Sequence, residues 1–194
     1  MKRIAILPAI LALAASLAAF ADDDRDTYKI DPNHTFPQYE VVHFGTSLQR
    51  GRFDKTSGKL VYDSFAHKGS VEVTIETGSV NSGVAKLDEH LKGEEFLNVA
   101  KFPTMTFKSS DFVFEGDKLK KVNGELTLLG VTKPVTFDAA FFHCGINPML
   151  LRTVCGADLV AHIKRNDFGM KAFLGPVSDD VLLRVNVEAI ADKK

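Results

Sequence analysis

The sequence predicts an all-β protein, an antiparallel sandwich or barrel with one short helix. Three observations carry that reading. Apolar residues recur at period two along most of the chain, the breaks between these runs are rich in Gly, Asp, Asn and Ser, and a single segment switches to helical spacing. Val71, Val73 and Ile75 alternate with Glu72, Thr74 and Glu76. Leu126 and Leu128 flank Thr127. Val181, Leu183, Val185 and Val187 share one face of the last run, with Leu182 the exception among their mainly polar partners. Alternation marks strands with one buried face, because successive side chains point to opposite sides. Many strands, one helix and no internal repeat leave a sandwich or a barrel of eight or so strands.

At the N-terminus, Lys2 and Arg3 precede an apolar, alanine-rich run from Ile4 to Phe20. Ala19-Phe20-Ala21 then gives way to Asp22-Asp23-Asp24. That order is the pattern of a secretory signal peptide, with cleavage expected after Ala21 and export to the periplasm. The run contains Pro8 and falls short of the ~20 residues that span a bilayer comfortably. No later apolar stretch reaches that length, so no stable membrane span is expected after cleavage. Residues 22–194 fit one domain.

Strands are expected near 36–46, 48–55, 57–63, 69–77, 105–114, 118–130, 133–144, 153–165 and 180–191. Gly116-Asp117 and the stretch from Gly130 to Lys133 are hairpin signals. Pro37 and Pro134 sit near strand beginnings, where a missing N–H does least harm. Between strands, Val84, Leu87 and Leu91 recur at helical spacing among Lys86, Asp88, Glu89 and Lys92. This predicts an amphipathic helix over 82–92, stopped at Gly93, with a second short turn over 94–98.

Composition narrows the function. Hydrophobic residues make up 45% of the chain, enough for a real core. The net charge of −1 moves further negative once Lys2 and Arg3 leave, and the remaining cations are scattered among acids. A nucleic-acid partner needs a clustered basic face and is set aside. Phe is abundant (15 residues) and Trp absent; a solid core and a pocket wall both use Phe, so composition does not choose between them. Cys144 and Cys155 flank Gly145-Ile146-Asn147-Pro148 between two strand-like runs. In an oxidising compartment this favours a structural disulfide across a hairpin mouth over a redox pair, which uses Cys-x-x-Cys spacing.

Catalytic motifs are scarce. The chain has no Gly-x-Ser-x-Gly elbow, no His-Glu-x-x-His and no phosphate loop. His34, His43, His67, His90, His143 and His162 are dispersed, so no metal site is expected, although folding is able to gather distant ligands. His43 shares strand parity with Pro37, Tyr39 and Val41; an inward imidazole there needs a partner, which a ligand head or an internal polar group supplies equally well. Arg165-Asn166-Asp167-Phe168-Gly169 ends a strand. Locally it reads as a turn in which Gly169 permits positive φ, and functionally as a polar clamp near an opening.

The ordered landmarks resemble the YceI-like family of periplasmic lipid-binding proteins over nearly the whole mature chain. They are Tyr28-Lys29-Ile30-Asp31-Pro32-Asn33-His34-Thr35, Gly51-Arg52-Phe53, Asp88-Glu89-His90-Leu91, Glu95-Phe96, Lys101-Phe102-Pro103, Thr106-Phe107-Lys108-Ser109, the run from Gly124 to Val135, and Arg165 to Gly169. Pro37, Tyr39 and Glu95 depart from the family's usual residues, and Tyr39 adds a hydroxyl.

The resemblance implies a lipocalin-like extended barrel with a helix near one end. Its axial tunnel takes a polyisoprenoid or a similar long chain, such as an isoprenoid quinone. No catalytic residues and no required cofactor carry over, so a non-enzymatic binding role is expected. The expected tunnel wall is Tyr39, Val41, Val73, Ile75, Leu91, Phe96, Phe102, Phe107, Leu126, Phe168, Val181 and Leu183. His43, Arg165 and Asp167 are the headgroup candidates. The partner is then a long-chain lipid, and a homodimer stays open. The alternatives are the same barrel with a solid core, serving as a stress-related structural protein, and an enzyme acting on a lipid headgroup with His43 or His90 as base.

Overall fold

The computed structural model describes residues 26–193, so the expected signal peptide lies outside the described residues. The alternating segments form β1 (Asp26–Ile30), β2 (Phe36–His43), β3 (Ser47–Phe53), β4 (Thr56–Asp63), β5 (Lys68–Glu76), β6 (Val80–Asn81), β7 (Thr104–Glu115), β8 (Lys118–Leu128), β9 (Val131–Asn147), β10 (Arg152–Lys164) and β11 (Asp180–Ala191). The helix α1 (Ala85–Lys92) and two 3-10 turns, Thr77–Ser79 and Arg165–Phe168, complete the described elements.

Eight strands close an antiparallel barrel. They run in the order β1, β4, β5, β7, β8, β9, β10, β11, and β1 completes the ring by pairing with β11. Five-residue β1 covers only the end of twelve-residue β11. Tyr28 to Ile30 meet Ala189 to Ala191, and farther along the same edge Leu182 to Asn186 meet β2. Strand β2 then carries β3, and the end of β3 meets β6. The barrel thus has one end closed by β1 and another where β2, β3 and β6 stand in its place.

The nine expected strands are present with small shifts at their ends. β1 and β6 are additional; elements of five and two residues are too short to display a period. Pro134 lies inside β9, paired with Glu125, rather than at its beginning. The helix starts at Ala85 instead of Ser82, because Val84 is extended (φ −129°, ψ 105°) and caps it. Ser82 works from outside the helix: its N–H and its hydroxyl both donate to the Asp88 carboxylate, at 2.7 and 2.6 Å. Gly93 follows the last helical residue.

Inward residues of every barrel strand form two clusters. The larger is built on Phe53, Ile75, Phe107, Leu126 and Phe137. The smaller, at the end closed by β1, holds Tyr28, Ile30, Leu60, Tyr62 and Ala189. Cys144 and Cys155 are direct register partners on β9 and β10 and are joined by a disulfide. No helix among the described residues is long and apolar enough to cross a membrane.

Candidate functional site

The barrel is hollow between the two clusters. A cavity with about 1050 Å³ of empty space, mouth included, runs among Val71, Val73, Ile75, Phe107, Leu126, Leu159, Val185 and Val187. A second chamber, with about 660 Å³ of empty space counted with its mouth, lies towards α1 and is lined by Tyr39, Val41, Val80, Leu91, Phe96, Ile163, Val181 and others. Phe53 and Leu183 border both chambers, which adjoin across these two side chains and together make up the apolar channel of the barrel. Period-two alternation builds this wall: every second residue of β5 and β11 faces the interior, as do Val122, Leu126 and Leu128 of β8, while Glu72, Thr74 and Thr127 face out.

The ends of the channel differ. Beyond Phe112, Phe142 and Cys155 the interior is filled by aromatic rings. Tyr62 stacks on Phe114 at 6.1 Å and meets Phe142 edge-on at 5.5 Å, and the His67 ring packs on Phe114 at 4.7 Å. The disulfide ties β9 to β10 beside this floor. At the other end lie α1, the segment after it and the loop following β10. α1 contributes Leu91 to the wall yet has no buried residue. Phe96 stacks on Phe173 at 6.0 Å, and His90 packs against both rings.

Ten of the twelve expected wall residues line the channel: Tyr39, Val41, Val73, Ile75, Leu91, Phe96, Phe107, Leu126, Val181 and Leu183. Phe102 and Phe168 do not. Phe102 covers Gly130 at the β8–β9 turn, under the Lys101 ammonium. Phe168 is buried in the larger cluster from the turn after β10.

The three headgroup candidates are not brought together. His43, the last residue of β2, is exposed with its ring against Phe44. Asp167 is also exposed. Arg165 borders the second chamber and is buried, and its guanidinium is held by the backbone. Nε donates to the Ser178 carbonyl at 2.9 Å, Nη1 to Met170 at 3.2 Å and Ala172 at 2.7 Å, and Nη2 to Val177 at 3.1 Å. Burial lowers its pKa from the ordinary arginine value, and Asp179 opposes that shift. The turn closes at Gly169 with φ 88°, the left-handed conformation that glycine adopts at least cost.

Two further wall features were not anticipated from sequence. Gly51 is the register partner of Tyr39, and a Cβ there would lie 2.4 Å from the Tyr39 hydroxyl, so its bare backbone makes room for the ring. Thr35 is fully buried; its hydroxyl donates to the Glu188 carbonyl and accepts from the Glu188 N–H, fastening the segment between β1 and β2 to β11. Outside the barrel, Asp31, His34 and Glu188 bring potential ligand atoms within 4.8 Å of one another. Within that group His34 Nδ1 already lies 2.7 Å from the Asp31 carboxylate.

The sequence profile of the YceI-like domain matches residues 28–189, from β1 through most of β11. The chain belongs to the YceI-like family. Protein YceI of Salmonella arizonae is 40% identical over 169 residues, covering 86% of this chain and 87% of that protein. A crystal structure of the Campylobacter jejuni YceI protein superposes with a TM-score of 0.70 at 29% identity, covering 79% of this chain and 91% of that one. A polyisoprenoid binding domain from Saccharophagus degradans shares the fold at 16% identity (TM-score 0.59), covering 85% and 98%. In this YceI-like chain both chambers and the disulfide fall inside the matched span.

Proposed function

We propose that the protein binds and carries a long-chain isoprenoid lipid, such as a prenylated quinone, in the barrel channel, and does so in the periplasm after signal-peptide removal. The observation that carries this reading is the pair of adjoining apolar chambers, with an aromatic cluster at one end. A prenyl tail offers almost no hydrogen-bonding groups, so its receptor needs length and apolar wall. Burial at about 0.8 kcal/mol per CH₂ gives roughly 4 kcal/mol for each isoprene unit. A few units therefore outweigh association costs of about 4–15 kcal/mol. A solved domain of the same fold, from Saccharophagus degradans, carries the name polyisoprenoid binding domain, which supports the reading. The disulfide is consistent with an oxidising compartment.

A binding role accounts for the site better than headgroup chemistry. No histidine lines either chamber among the described residues. Among the described residues, the His34–Asp31 and His67–Asp117 contacts lie outside the channel.

The test is to purify the exported protein without detergent, extract it with organic solvent and identify the extract by mass spectrometry. Near-stoichiometric long-chain lipid is expected from the wild type. Val73→Trp, which places an indole in the larger chamber, is expected to lose most of it while retaining the β-sheet circular dichroism. A wild type that yields no lipid and takes up no isoprenoid sinks the proposal.

A further inference from the structure

Large apolar side chains stand exposed on two loops at the open end of the barrel. One loop is the β2–β3 hairpin tip, with Val42, Phe44 and Leu48; the other follows β10 and carries Phe173 and Leu174. Phe44 is 65% and Phe173 51% exposed, so neither ring serves the core. The two loops are fastened to each other. The Phe44 N–H donates to the Pro176 carbonyl at 2.6 Å, the Ser178 N–H donates to the Val42 carbonyl at 2.9 Å, and His43 forms a β-bridge with Val177. Their inner side is channel wall: Val41 and Val177 line the second chamber, and Phe173 stacks on Phe96, which lines it too. One apolar surface therefore runs from the channel out over its rim, and contiguous exposed apolar surface of this kind marks an interaction site.

Charge narrows what the rim fits. No Asp or Glu occurs from Val41 to Gln49 or from Phe168 to Ser178, and exposed Lys171 adds a positive charge. We propose that these two loops dock the open end of the barrel on the surface of an anionic phospholipid bilayer, with the apolar side chains at the acyl boundary and Lys171 at the phosphates. This inference rests on the lipid-binding reading for its purpose, and it adds the surface through which cargo is exchanged. Apolar faces at such an interface sink about 5–10 Å into it, and the stem of a lysine lets its ammonium reach back to the headgroups. Glu94 and Glu95 are exposed after α1. Their charge keeps that side of the mouth off an anionic surface, so the two loops form the contacting edge. A deformable headgroup layer accepts two projecting tips, whereas a second copy needs a matched face burying about 800 Å² on each side.

The experiment co-sediments the delipidated mature protein with phosphatidylethanolamine–phosphatidylglycerol vesicles and with phosphatidylcholine vesicles. Phe44→Asn/Leu174→Ser removes one apolar side chain from each loop and leaves the chamber lining untouched; asparagine tolerates the left-handed backbone at residue 44 (φ 49°). Met149→Ser/Leu151→Asn removes equally exposed side chains from the β9–β10 tip at the opposite end. Wild type and the β9–β10 variant are expected to bind the anionic vesicles alike, and Phe44→Asn/Leu174→Ser about tenfold more weakly or worse. Lys171→Glu is expected to lose about fivefold on the anionic vesicles and nothing on phosphatidylcholine. No vesicle binding by wild type, full binding by Phe44→Asn/Leu174→Ser, or a loss confined to the β9–β10 variant overturns the docking assignment. So does a wild-type dimer that Phe44→Asn/Leu174→Ser breaks, which gives the face to a second copy. Extractable lipid is measured in parallel on undelipidated protein. Lipid without vesicle binding sinks the docking alone; vesicle binding without lipid or isoprenoid uptake sinks the channel reading alone.

Discussion

Arg165 is a charged side chain at an apolar site, and its role follows from what it touches. Its four backbone acceptors lie between Met170 and Ser178, so one side chain organises the whole loop after β10. Arg165→Ala would leave those carbonyls without their donor and is expected to destabilise the fold by about 3 kcal/mol, read as a lower urea midpoint at unchanged slope. Lysine does not rescue it, because an ammonium cannot present a planar fork.

A second residue-scale prediction concerns the exposed His34–Asp31 pair. The Asp31 hydrogen bond, then the charges of Asp31 and Glu188, raise the His34 pKa. Burial works to raise that of Asp31, but hydrogen bonds from His34 and Asn33 outweigh it and the net shift is downward. His34 therefore favours folding below the ordinary imidazole range, and that contribution is lost as pH rises through its raised pKa. Asp31 favours folding above the ordinary carboxylate range, and its contribution is lost as pH falls through its lowered value. NMR titration is expected to place His34 above the usual value in wild type and to move it back towards that value in Asp31→Asn, where the Glu188 charge still acts.

Sequence parity reached most wall residues because the barrel strands keep their alternation between the bulges of the β7–β8 and β9–β10 pairs. It did not extend to His43, where β2 reaches the rim, and periodicity carries no information on the carbonyls that claim Arg165.

Among the elements, the β9–β10 hairpin has the clearest constraint. Its strands are already paired on both sides of the Cys144–Cys155 bridge, so the disulfide reinforces an existing register. Reduction is expected to cost about 2–3 kcal/mol, seen as a lower melting temperature in dithiothreitol, without loss of the eight-strand ring. A Cys144→Ala/Cys155→Ala variant should melt like the reduced protein and ignore the reductant; a reductant-sensitive variant would place the effect elsewhere. The two cysteines were legible as a hairpin clamp because their spacing and the intervening Asn-Pro turn are local. The short β1 was not, since its partner β11 lies at the far end of the chain and only closure of the ring makes it a strand. The start of α1 was shifted because Val84 is extended, with Ser82 bonded to Asp88 from outside the helix, and spacing alone reveals neither.

At the scale of the molecule, the abundant phenylalanines were compatible with a filled or an empty interior. The outcome depends on how eight strands and the β2–β3–β6 extension divide one circumference, a long-range property that no window of sequence contains. The aromatic residues separate by height. Tyr62, Phe114 and Phe142 meet one another at the end closed by β1, whereas Phe53 and Phe107 stand around open space.

On the lipid-binding proposal, that floor would make the interior a blind alley instead of a thoroughfare. A cargo threaded in past α1 would back out the way it came, so whichever terminus entered last would be the first to re-emerge.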